Sequence, residues 1–148
     1  MRRDGAIALG VAVLGWVTMA GAIELIKEEE AARPDDTTPP FVQRAPSRRP
    51  VIQVVAPAPQ AGLVKSPLDL KVRFKAFGGS RINPDTIVIT YMKSPAVDLT
   101  QRVRAFIRLD GVDLSEAEVP PGNHRIKIEL EDQDGRPGVI EFTIRVAK

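Results

Sequence analysis

Three separate stretches of this chain alternate apolar and polar residues one for one. From Leu68 to Ala76 (LDLKVRFKA) every even position is apolar and every odd one charged, and the same beat runs through Arg125 to Glu131 and Ile140 to Val146. A side-chain period of two belongs to a strand with one face on a core and the other in water; a helix cannot sort these residues onto faces. Thr86 to Met92 is more continuously apolar and reads as an interior strand covered on both sides, with shorter strands at Val51 to Val55 and Phe106 to Leu109. Turn signals separate them: Pro57-Ala58-Pro59, Gly78-Gly79-Ser80, Asn83-Pro84-Asp85, Pro120-Pro121-Gly122-Asn123 and Asp134-Gly135-Arg136-Pro137-Gly138. One segment breaks the rhythm. Asp98 to Phe106 spaces its apolar residues at helical intervals behind a capping Asp98, with Gln101 three residues on, which predicts a two-turn helix. Six or seven strands over residues 50–148 predict an all-β domain, a β-sandwich with one short helix.

The residues before it differ in kind. Arg2 and Arg3 open the chain, and no charge then appears from Gly5 to Ile23. Ala6 to Val17 has the length of a signal-peptide core, and Ala20-Gly21-Ala22 places two small residues where a signal peptidase needs them. The competing reading is an uncleaved membrane anchor, since about 20 apolar residues span a bilayer as a helix. The abundance of Gly and Ala favours cleavage. In either case residues 1–22, a signal peptide or hydrophobic helix, export the remainder, which is then periplasmic or tethered to the outer face of the cytoplasmic membrane. Residues 23–49 contain Glu28-Glu29-Glu30, four prolines and few large apolar groups, and read as a disordered, charged, Pro-rich linker.

Composition limits the chemistry. There is no Cys and one His, so neither a thiolate metal site nor a His-paired cluster exists. With 21 basic against 19 acidic side chains the net charge is +2, which gives no reason to expect nucleic acid as a partner. His124 follows a turn and reads as the start of a strand making a local hydrogen bond. Asp132-Gln133-Asp134-Gly135 lacks the ligand series of a calcium loop and reads as a hairpin turn. Asp110, Asp113, Glu116 and Glu118 read as a solvated loop, not as paired catalytic carboxylates. Gly78-Gly79-Ser80 is too short to cradle a phosphate. Lys71, Arg73 and Lys75 share one strand face, where they would meet an anionic glycan, lipid headgroups or phosphate unless balanced by Glu129, Glu131 or Glu141 on neighbouring strands. The only Trp, Trp16, lies in the leader; past it Tyr91 and the Phe residues remain as aromatics, with no indole platform for sugars. No catalytic, cofactor-binding or metal-binding residue is assigned.

The ending, Val119 to Val146, resembles the last hairpin of bacterial immunoglobulin-like and cadherin-like extracytoplasmic modules. The residues that carry the likeness are Pro121, Gly122 and His124, then Asp132 and Gly135, then Phe142, Ile144 and Val146. The opening from Ile52 to Phe74, with Ala56-Pro57, Gly62 and Ser66-Pro67, is similar too. The resemblance implies an immunoglobulin-like β-sandwich. The export signal, the spacer and the want of a catalytic constellation point to a non-enzymatic binding or assembly module of the cell envelope whose partner is another envelope protein. The same hairpin is similar to that of periplasmic copper-resistance carriers, which implies a small-ligand or metal carrier as the alternative. Arg136 stands where their copper-ligating His would be, and a guanidinium stays protonated and cannot ligate.

Overall fold

The computed structural model describes residues 21–42 and 48–148. The leader reading therefore falls almost wholly, and the linker reading partly, outside the described residues. Six strands have six or more residues: β2 (Val51–Ala56), β4 (Leu68–Lys75), β5 (Ile82–Tyr91), β8 (Gly111–Glu118), β9 (Gly122–Asp132) and β10 (Pro137–Val146). Four two-residue strands complete the set: β1 (Ile23–Glu24), β3 (Leu63–Val64), β6 (Val97–Asp98) and β7 (Ile107–Arg108). Among the described residues helical turns are confined to α1 (Glu28–Ala31) and to α2 (Thr100–Val103), which runs into a 3-10 turn, Arg104–Phe106. The chain is mostly β, as the alternation predicts.

The strands form two five-stranded sheets. The first has the order β1-β8-β4-β2, with β7 also paired to β8; the second runs β3-β10-β9-β5-β6. Their inward side chains make one core, with Leu70, Val72, Val112 and Leu114 from the first sheet and Ile87, Ile89, Ile126 and Ile128 from the second, all buried. Each such side chain contributes about 1.5–3 kcal/mol by leaving water. The longest unbroken ladder is the β9–β10 hairpin, from Pro137 opposite Glu131 to Val146 opposite Gly122. At the start of β8, Gly111 is required by close approach: a Cβ there would collide with the Val72 carbonyl oxygen of β4.

Three sequence expectations are corrected. Thr86 to Met92 is not covered on both sides, because Val88 points out of the second sheet and is 41% exposed while Ile87 and Ile89 point in. The segment read as a solvated loop around Asp113 and Glu116 is β8, an interior strand with Val112, Leu114 and Ala117 in the core. Its period is hidden by an irregularity at Glu116, where φ is +55° and the apolar beat slips from 112 and 114 to 117.

The third correction concerns residues 23–36, which are built into the domain. Ile23–Glu24 runs parallel to Ala117–Glu118 of β8. The Leu25 amide donates to the Glu118 carbonyl at 3.0 Å, and Leu25 and Ile26 are buried. Arg102 of α2 grips the Glu30 carboxylate with both guanidinium arms, at 2.5 and 2.8 Å, and also donates to the Leu25 carbonyl. Further on, Asp36 and Ser94 amides donate to Met92 and Pro34 carbonyls. Two buried apolar side chains and the ion pairs Glu30–Arg102 and Asp35–Lys93 dock a segment whose composition alone reads as solvated. Asp98 does close the turn before α2, its Oδ1 accepting from the Thr100 amide at 2.8 Å.

Candidate functional site

The feature that stands open is a long gap between the two sheets. β2 is paired on one side only, with β4. β10 is paired along its length with β9, but on its other side only Arg145 and Val146 meet a strand, β3. The Ala147 amide donates to the Val64 carbonyl, so the main-chain groups of odd-numbered residues face that side. By the strand's alternation, those of Thr143, Glu141 and Val139 face outward with no partner strand among the described residues.

Between these two edges lies a groove of about 790 Å³. Its floor is made by Val54 of β2 and by Ile140, Phe142 and Ile144 of β10, and its rim by Gln53, Gln60, Thr143 and Arg145. Ile140 and Phe142 are half-buried against the core, and among the described residues no strand covers this flank. Exposed Val51, Val55 and Leu63 stand on the strands beside it. At one end the chain pinches the gap: a Cβ on Gly138 would lie 2.7 Å from the Pro50 carbonyl oxygen. An apolar floor, a polar rim and a free row of amides and carbonyls accept one kind of ligand well, an extended peptide that continues the sheet. A second hollow of about 720 Å³, near Glu24, Glu28, Glu29 and Glu118, is shallow and acidic and brings no chemistry together.

His124, the sole histidine, is buried. Its Nε2 lies 2.6 Å from the Pro120 carbonyl oxygen, which only accepts, so Nε2 carries the proton. Nδ1 then accepts from the Tyr91 hydroxyl at 2.9 Å. Burial pulls its pKa below the ordinary histidine value and raises that of Tyr91. Lys93 lies over the Tyr91 ring and donates to Asp35 at 2.5 Å, carrying this buried chain of polar contacts to the N-terminal segment. The local hydrogen bond expected of His124 is present, and the longer one to Tyr91 was hidden in the sequence. Both ring nitrogens are engaged.

The Asp132 turn is likewise closed on itself. Asp132 accepts from the Asp134 and Arg136 amides and from Arg136 Nε. Burial alone would raise its pKa, but these bonds hold it below the ordinary value. Arg136 also reaches Asp134 and the Phe77 carbonyl. Among the described residues no three His, Asp or Glu side chains converge on a point that would hold a metal ion. Asp113 lies 4.0 Å from Lys71, and exposed Asp110, Glu116 and Glu118 are spread along β8 and the turn before it. Gly78 and Gly79 form the β4–β5 turn with positive φ.

The expected balance of the basic row is corrected. Glu129, Glu131 and Glu141 belong to the second sheet, whereas Lys71, Arg73 and Lys75 lie on β4 of the first. Glu129 sits 3.3 Å from Lys127 and Glu141 2.9 Å from Arg125, leaving only Asp113 near the row.

Set against known proteins, the chain matches no family model, no curated protein and no solved structure. No helix among the described residues is long and apolar enough to cross a membrane.

Proposed function

We propose that this chain is an exported, non-enzymatic binding module of a bacterial cell envelope, an immunoglobulin-like sandwich that recognises another envelope protein by taking an extended segment of it onto the free edge of β10. The observation that carries the reading is that edge itself. Val139, Glu141 and Thr143 have no partner strand among the described residues and stand beside a groove floored by half-buried Ile140 and Phe142.

The immunoglobulin-like assignment is supported by strand order. If β2, β4, β5, β8, β9 and β10 are lettered A, B, C, E, F and G, the first sheet reads A-B-E and the second G-F-C. The first strand also changes sheets: after the loop from Pro57 to Gly62 the chain pairs in parallel with β10 as β3. Export rests on the leader. The Arg2-Arg3 start, the uncharged run and Ala20-Gly21-Ala22 support it.

The test is a photo-crosslinking residue placed at Thr143 in the native host, with one at Val88 on the outward face of the second sheet as control. One envelope protein crosslinked from position 143 through a single extended segment, and lost in Thr143→Pro and Thr143→Lys, supports the proposal. The same products from position 88, or none from 143, overturn it.

A further inference from the structure

The outer face of the first sheet carries a separate surface, and we infer that it docks on an anionic phospholipid bilayer. Four cations stand on it. Arg73 of β4 pairs across Gly111 of β8 with Arg108 of β7, and Lys75 and Lys71 flank Arg73 on its own strand. Two inter-strand spacings put Arg73 and Arg108 roughly 10 Å apart. Gly111 contributes no side chain between them, so the floor between the two guanidiniums is bare. Arg48 and Arg49, both exposed, precede the Val51 that lies opposite Lys75. The acids of this sheet are Asp113 opposite Lys71, Asp69, Glu116, Glu118 and Glu24 toward the Leu68 end of β4, and Asp110 in the turn after Arg108. Among the described residues only Lys71 has a carboxylate within ion-pair distance, Asp113 at 4.0 Å. The cations thus gather at the Lys75 end of β4, beside Arg108 and Arg49, and set up a local positive field there, while most of the carboxylates lie toward the opposite end.

Two further observations favour a bilayer over a soluble polyanion. Leu109 (63% exposed), Val51 and Val55 stand beside the cations, as interfacial contact with acyl chains and headgroups requires. In addition, the uncharged run ends at Ile23, which is already β1 on the edge of this same sheet. Where that run is kept as an anchor, no spacer separates it from the domain. A basic sheet face at an anionic surface gains affinity with each cation, about fivefold per Lys or Arg. The proposal does not depend on the strand-edge reading, since it uses the broad face of the other sheet.

The absence of Cys makes the test clean. Full-length chain carrying Leu109→Cys with an environment-sensitive fluorophore is reconstituted into vesicles of phosphatidylcholine alone or with one third phosphatidylglycerol. A label at Val88→Cys serves as control. The expected result is a blue shift and lipid-quencher access at position 109 in anionic vesicles only, with position 88 unchanged. The triple variant Arg73→Gln, Lys75→Gln, Arg108→Gln should lower the docked population about a hundredfold at an unaltered melting temperature. A water-exposed label in anionic vesicles, a shift equal at both positions, or a shift indifferent to the triple variant overturns the inference. A shift produced by soluble polyphosphate and not by vesicles does so too, and transfers the face to a polyanion.

Discussion

The buried polar side chains tie this fold together, and they respond to pH in defined windows. Glu30, gripped first by the Arg102 guanidinium, has its pKa lowered to about 2 from an ordinary 4.5. A carboxylate with a depressed folded pKa stabilises above its unfolded value, and that stabilisation is lost as pH falls from about 4.5 to about 2. The contribution is at most about 3 kcal/mol, reduced by the partial exposure of Arg102. Glu30→Gln should therefore lower the melting temperature at neutral pH and flatten its decline in that acid window. His124 works in the other window. Burial pulls its folded pKa below 6.5, so the neutral ring stabilises fully above the unfolded value and loses that contribution as pH falls through the folded one. Thermal melts between pH 7 and 4.5 should show this decline in the native protein and not in His124→Phe. Tyr91→Phe leaves Nδ1 of that ring without its donor in the core and should cost about 1–3 kcal/mol at pH 7, read by denaturant unfolding.

At the scale of the element, the N-terminal segment is the least expected finding. Leu25 is buried, so Leu25→Ala should cost about 2–5 kcal/mol, whereas Val42→Ala on the exposed stretch beyond should leave the unfolding midpoint unchanged. What could be read in the sequence follows from this contrast. β4, β9 and β10 each keep one phase of alternation from end to end, so their faces were legible. β8 was not, because the irregularity at Glu116 changes its phase partway. The docking of residues 23–36 was hidden for another reason: Glu28, Glu29 and Glu30 look alike, and only Arg102, distant in sequence, singles out Glu30. The groove was illegible in principle. Alternation reports which way a side chain faces and not which strand lies beside it, so neither the open flank of β10 nor the separation of Lys71, Arg73 and Lys75 from Glu129, Glu131 and Glu141 can be derived from pattern alone.

At the scale of the molecule, the two sheets divide the surface into distinct kinds of contact. The first presents a basic patch at one end of its outer face, and the second an edge with no partner strand among the described residues, beside an apolar groove. An exposed strand edge invites pairing with any free strand, and folds that do not use one blunt it with charge, Pro or a covering loop. Here β10 carries Val139, Glu141 and Thr143 along an edge that no strand among the described residues covers between Pro50 at one end and β3 at the other. Its retention fits a partner that completes the sheet. The direct measurement is residue-resolved amide hydrogen exchange on the native protein, alone and bound to the partner captured from position 143. Strand addition predicts that Val139, Glu141 and Thr143 amides exchange fast in the free protein and slow by at least a hundredfold in the complex, while Ile140 and Phe142, already bonded to β9, change little. Fast exchange at all three in the complex would contradict the account.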